Sequence, residues 1–398
     1  MIRRRWTKAL LIGVIALVSL CVTIVFSLFL LSGGFMKPTY MEPWSKTYAE
    51  KCSDPRLRLA AAGLLAASGH NMQPWKIKLD PSDPAIFYLY ADNKRMTPEV
   101  DPYARQMMIS EGTFLEYVAV AGQEAGWHAT ISLFPDGTYD EAQLAKSMAA
   151  KPVAKIRLTH TTPEKDPLYD AFFLPDTNRE AYQSHPLTAS QLTTLESLSD
   201  FRTITVKLYH DPANLEMIGD YAIKSATIEA GVTRVMNESN AIFRANEYEK
   251  NKFRYGYSVE GQGASGIKKQ ILQGLLTLMP SLNTGKAASK NFITYTSASV
   301  QHTPAYAMIV SSGNSRRQQV ESGMLYSRLV LTGHVLGLAM QPLSQVLEEY
   351  PEMHAPYTTF KHVYAPDGGT VQMLFRVGRP TMQAPLSMRR DVNALLIH

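Results

Sequence analysis

The chain has 398 residues, 45% hydrophobic and 19% charged, with a formal net charge of +5 at pH 7. This is ordinary globular composition, and much of the excess positive charge sits at Arg3, Arg4, Arg5 and Lys8, so no basic surface for nucleic acid is expected. Two cysteines, Cys21 and Cys52, exclude a disulfide scaffold.

Residues 9–31 carry no charge and predict a helix of roughly 34 Å at 1.5 Å per residue, enough to cross a bilayer. A cleaved signal peptide has a shorter apolar core, about 7–15 residues, and a small-x-small site. Ser32-Gly33-Gly34 is a weak match, and Leu20 before Cys21 is too bulky for a lipid-attachment site. Segment 1–33 is therefore expected to be a retained single-pass anchor in the inner (cytoplasmic) membrane. The arginines ahead of it favour N-terminus-in, with the folded part on the extracytoplasmic side. The run from Arg3 to Lys8 also matches a twin-arginine export pattern; the same arginines serve equally to orient the helix.

A linker over 34–53 precedes the first soluble helix, read over 56–67 from apolar residues at helical spacing. Strands are predicted at 75–79, 85–90, 129–134, 155–159 and 203–209, with a long helix at 107–126 between the second and third. Gly112, Gly122 and Gly126 recur as Gly323, Gly333 and Gly337 at a constant offset of 211 residues. Phe114, Val118 and Val120 pair at the same offset with Leu325, Leu329 and Leu331. Two readings stand: common helix-packing chemistry, or two related halves forming an internal pseudo-dimer.

The sharpest motif runs from Ala67 through Ser68, Gly69, His70, Asn71, Met72, Gln73 and Pro74 to Trp75. Such a segment can present amides to the polar edge of a planar heterocycle, or it can be a capped helix followed by a turn. Gly261-Gln262-Gly263-Ala264-Ser265-Gly266 matches a dinucleotide string but follows a polar segment, and is read as a loop. The ten histidines form no metal-ligand pattern, and no serine-nucleophile elbow is present, so neither a metal nor a catalytic side chain is expected.

The segment 67–75 resembles the amide-rich signature of the nitroreductase superfamily, with Ser68-Gly69 in place of its usual Pro-Ser pair. Asp101, Pro102, Arg105, Ser110 and Gly112 resemble the double-length, Acg-like subgroup, and Asp176-Thr177-Asn178-Arg179 resembles the arginine motif that contacts FMN phosphate. The stretch 323–337 looks like a second core helix, 375–380 like the final strand, and Arg389-Arg390 like a C-terminal basic pair. The resemblance implies an α+β fold of two fused halves, 54–165 and 166–398, sharing one FMN between them. Its cofactor-binding residues would be Ser68, His70, Asn71 and Gln73 in the first half, with Asn178, Arg179, Arg389 and Arg390 in the second.

It also implies an oxidoreductase passing electrons through flavin to a small-molecule acceptor: a nitro compound, a quinone or similar. The alternative is an FMN-sequestering protein closed by a lid, for which the poorly matched segment 231–299 is the candidate. A flavin-free interaction module is a third expectation.

Overall fold

The computed structural model describes residues 2–199 and 201–397. Its first helix, α1 (Ile2–Leu31), is the one helix among the described residues long and apolar enough to cross a membrane. Its large apolar side chains between Leu10 and Leu31 are mostly exposed.

The segment after it is more than a linker. Two 3-10 turns, Thr39–Trp44 and Ala49–Lys51, bury Tyr40, Trp44 and Tyr48 against the body. These rings can be buried because their polar tips find partners. Tyr40 donates to Glu247 Oε2 at 2.7 Å, Trp44 Nε1 to Ser387 O at 2.7 Å, and Tyr48 to Asp391 Oδ2 at 3.1 Å.

α2 (Pro55–Gly63) starts where Asp54 accepts from Arg56 N, with Pro55 in the first turn. Then follow β1 (Trp75–Leu79), β2 (Ile86–Ala91), α3 (Arg105–Ala125), β3 (Trp127–Leu133), α4 (Leu144–Ala150) and β4 (Ala154–His160). The four strands form an antiparallel sheet in the order β1-β2-β4-β3.

After α5 (Pro167–Ala171) and α6 (Ala189–Glu196), β5 (Ile204–Tyr209) opens a second sheet. A helical insertion comes next: α7 (Pro212–Gly231), α8 (Thr233–Ala241), α9 (Glu247–Phe253), α10 (Gly266–Leu278) and α11 (Gly285–Gln301). The dinucleotide-like string lies here, on a 3-10 turn (Val259–Gln262) leading into α10 with no strand before it. The sheet then resumes with β6 (Ala305–Ser311), α12 (Arg316–Val335), β7 (Ala339–Pro342), α13 (His354–Tyr364) and β8 (Thr370–Gly378). Its order, β5-β6-β8-β7, repeats that of the first sheet, and α12 stands between β6 and β7 as α3 stands between β2 and β3. Every residue of β6 and β8 is buried.

α3 and α12 cross in backbone contact. A Cβ added at Gly112 would lie 1.8 Å from Val320 O, and one at Gly323 would lie 1.9 Å from Ile109 O. The contact is reciprocal, because Ile109 and Val320 carry the same 211-residue offset as the glycines. Only residues without a side chain permit that approach.

Candidate functional site

The loop after α2 holds an unusual backbone: His70, Asn71 and Gln73 all have φ near +50°. Each such non-glycine residue costs on the order of 1–2 kcal/mol, so the conformation needs external support. Ser68 Oγ accepts from Gln73 N at 2.9 Å, and Ser110 Oγ from Gly69 N at 3.0 Å. Asn71 Nδ2 donates to Gly256 O and Met388 O at 2.9 and 3.1 Å. Gln73 Nε2 donates to Arg254 O at 2.9 Å and Met388 O at 3.2 Å, while its Oε1 accepts from Arg390 N. Both amides thus spend their hydrogen bonds on backbone from the insertion and from the 388–390 segment.

Arg389 and Arg390 are engaged in the same way. Arg389 donates to Asn71 Oδ1 and to the α2-end carbonyls Leu65 O and Ala66 O, and stacks over Trp44. Arg390 donates to Gln73 O, Trp75 O and Ala394 O. Both guanidiniums are buried, and burial pushes their pKa down to about 10. Here the structure places the pair as clamps on the loop, because buried donors need acceptors and carbonyls supply them.

Asn178 is a support as well. Its N–H donates to Met340 O, its Nδ2 to Met382 O, and its Oδ1 accepts from Glu180 N, all at 2.9–3.0 Å. That bracing holds the next residue out. Arg179 makes no hydrogen bond or ion pair with any described residue, unlike the other arginines of the expected site. Its side chain is accessible by area, yet burial lowers its guanidinium pKa. Its electrostatic neighbours are Tyr326, Tyr182 and Tyr257, with no carboxylate among them.

His70 is the loop side chain beside Arg179. Burial, and then the Arg179 charge, bring its pKa down to about 4, so the imidazole is neutral at pH 7. Its Nε2 lies 3.4 Å from Ser239 Oγ on α8, and Tyr257 donates to Ser239 O. Tyr117 donates to Asp176 at 2.5 Å, and burial raises the Asp176 carboxyl to about 6. The buried Tyr326 hydroxyl has no partner.

An unpaired cation beside a neutral imidazole and tyrosine hydroxyls offers several hydrogen-bond donors, with no carboxylate among the neighbours named for it. That chemistry suits an anion carrying several oxygens. No group of three or more His, Cys, Asp or Glu among the described residues could hold a metal ion. A cleft of about 640 Å³ lies elsewhere; Arg234 there is already paired with Glu99 and Glu352.

No protein-family model matches the chain. A "Putative NAD(P)H nitroreductase" of Mycobacterium tuberculosis is 35% identical over 71 residues, which is 18% of this chain and 20% of that protein. The match thus spans about a fifth of the length of the curated relatives. Among solved structures, a nitroreductase-like family protein from Bacillus cereus is 11% identical, covering 60% of this chain and 98% of that one at a TM-score of 0.31. A "putative nitroreductase" from Anabaena variabilis is 11% identical over 79% of this chain and 82% of that one, at 0.37.

Sequence reasoning singled out Arg179 and His70 through the family motif, but not Tyr182, Tyr257 or Tyr326, whose spacing carries no signal. It also missed a buried pair behind Tyr257. Glu229 and Glu348 are both buried, each with one carboxylate oxygen lacking a partner. Desolvation raises Glu229 to about 8 and Glu348 well above the usual carboxylate range. A carboxyl raised on folding contributes its stability below the unfolded pKa and loses it as pH rises through the folded one. Wild type should therefore lose stability between about pH 4.5 and 8 from this group. Glu229→Gln should remove that loss, raising the urea midpoint at pH 8.5 and leaving it unchanged at pH 4.5. An equal effect at both pH values would show that the carboxyl is not held neutral.

Proposed function

We propose that this chain is a membrane-anchored flavoprotein of nitroreductase type, binding FMN with Arg179 on the phosphate. The observation that carries the reading is the Arg179 guanidinium, desolvated and unpaired at a motif that resembles the superfamily's phosphate contact. The residues present fit the anionic end of the cofactor: Arg179 supplies a planar fork, and the neutral His70 ring and Tyr326 hydroxyl supply further donors. The 71-residue likeness to a relative named as an NAD(P)H nitroreductase agrees with this class of activity. A bound flavin supplies hydride acceptance and onward electron transfer to a nitro compound, quinone or similar acceptor. The protein's part is to position the group and exclude water, with no side chain required as acid or base.

We read the repeated sheet order and the reciprocal Gly112/Gly323 contact as two halves of an internal pseudo-dimer, with the site built between them. We assign α1 as a single-pass anchor in the inner membrane, the body lying on the extracytoplasmic side.

A second reading, sequestration of FMN, is favoured by one observation. The insertion closes over the loop through Arg254 O and Gly256 O, and over His70 through Ser239. Purified full-length protein in detergent should be yellow and release FMN, not FAD, on heating. Fast NADPH oxidation with a nitroaromatic acceptor would support the oxidoreductase. Reduction by dithionite but only slowly by NADPH would support the store, since nicotinamide must approach within about 3.5 Å of the ring. Protein free of flavin after expression in flavin-replete cells would sink both.

A further inference from the structure

The insertion touches α1 in a way that neither flavin binding nor a plain tether explains. A Cβ at Gly274 on α10 would lie 2.3 Å from Leu28 O, so the two helices meet backbone to backbone. One turn away, Ser32 Oγ donates to Gln270 Oε1 at 2.6 Å, and Glu247 N donates to Ser32 O at 2.9 Å. Gln270 sits against Ser32 and Gly274 against Leu28, four residues apart on each helix and in opposite order. The helices therefore run antiparallel and in step. Small-residue contacts of this kind are how helices pack within bilayers, where no hydrophobic drive separates protein from lipid.

The register sets the depth of the far end of α10. Leu278 falls level with about Ile24, seven residues inside Leu31, which is roughly 10 Å toward the bilayer centre. The turn there exposes its apolar residues: Leu278 is 62% exposed, Met279 43% and Leu282 46%. Toward the other end of the same helix Lys268 is exposed, and Lys269 is tied to Glu247 and Glu260. Lys286 and Lys290 are exposed in the first turns of α11. An apolar tip between lysine-bearing flanks has the charge pattern of a segment dipping about 5–10 Å into one leaflet, its lysines reaching back to the headgroups.

We propose that the turn joining α10 to α11 is a second membrane element, its residues 278–282 inserted into the outer leaflet beside α1. The partner is the phospholipid bilayer itself. This rests on the assignment of α1 as a membrane span, and the test separates the two.

Full-length protein carrying Cys21→Ser and Cys52→Ser is reconstituted into phosphatidylcholine–phosphatidylglycerol vesicles. Single probes are attached through Val18→Cys in α1, Leu282→Cys at the tip, or Thr138→Cys on the exposed far loop. All three positions are exposed, so the substitutions leave the fold intact. Phospholipids with brominated acyl chains should quench Val18→Cys and Leu282→Cys to a comparable extent, and leave Thr138→Cys unquenched. Quenching at Val18→Cys with Leu282→Cys behaving like Thr138→Cys would overturn the inserted turn and keep the anchor. No quenching at Val18→Cys would overturn the anchor, and this inference with it.

Discussion

Arg179→Ala should lose FMN while folding as well as the parent. Removing the charged partner of a buried phosphate costs about 2–4 kcal/mol, which is roughly 30- to 1,000-fold in Kd. Because Arg179 has no protein partner, its loss breaks no native hydrogen bond. It also removes a desolvated charge, so the flavin-free thermal midpoint should hold or rise. Arg179→Lys keeps the charge without the fork, and should fall between the two in affinity. Fluorimetric titration of flavin-stripped protein with FMN measures all three. Undiminished affinity in the alanine variant would remove Arg179 from the phosphate and with it the strongest support for a flavin site there.

Gly112→Val should be the most destabilising single change in the molecule. The new Cβ would fall inside the Val320 carbonyl, and because the obstacle is backbone, no rotamer relieves the clash. Separating α3 from α12 breaks the contact on which both sheets rest. We expect a loss above about 4 kcal/mol, a large part of the 5–15 kcal/mol that holds a typical domain. Gly323→Val should behave alike, since the crossing is reciprocal. Gly231→Ala is the control, because a Cβ there meets nothing within 4 Å and its urea midpoint should barely move. A Gly112→Val protein with near-parental stability would mean that the helices do not touch in solution.

These glycines show what the sequence made legible. A constant offset between Gly112 and Gly323 was visible without structure; that a backbone, and not a flat ligand, comes close there was not. Strand 75–79 was readable residue for residue, and the helix read at 107–126 lies at Arg105–Ala125, since alternation and helical spacing are local properties. The site was legible by residue type but not by role. Asn71, Gln73, Asn178, Arg389 and Arg390 have the chemistry of ligands. Their hydrogen bonds are filled by backbone from Arg254, Gly256, Met382 and Met388, which no local pattern brings near. Segment 35–53 read as a linker for the same reason: the partners of Tyr40, Trp44 and Tyr48 lie some 200 to 350 residues further on.

The saturation of the two loop amides has a thermodynamic consequence. Asn71 Nδ2 and Gln73 Nε2 can read a flavin edge only by releasing an acceptor they now hold: Met388 O, or Gly256 O and Arg254 O, which belong to the insertion. The insertion is therefore a tethered competitor for the same donors that the ring would use. At about 1 kcal/mol net per hydrogen bond, two such exchanges weaken ring recognition roughly 30-fold while the insertion stays in place. Whatever lifts residues 254–256 by a few ångström then acts as a positive effector of the site without touching the cofactor.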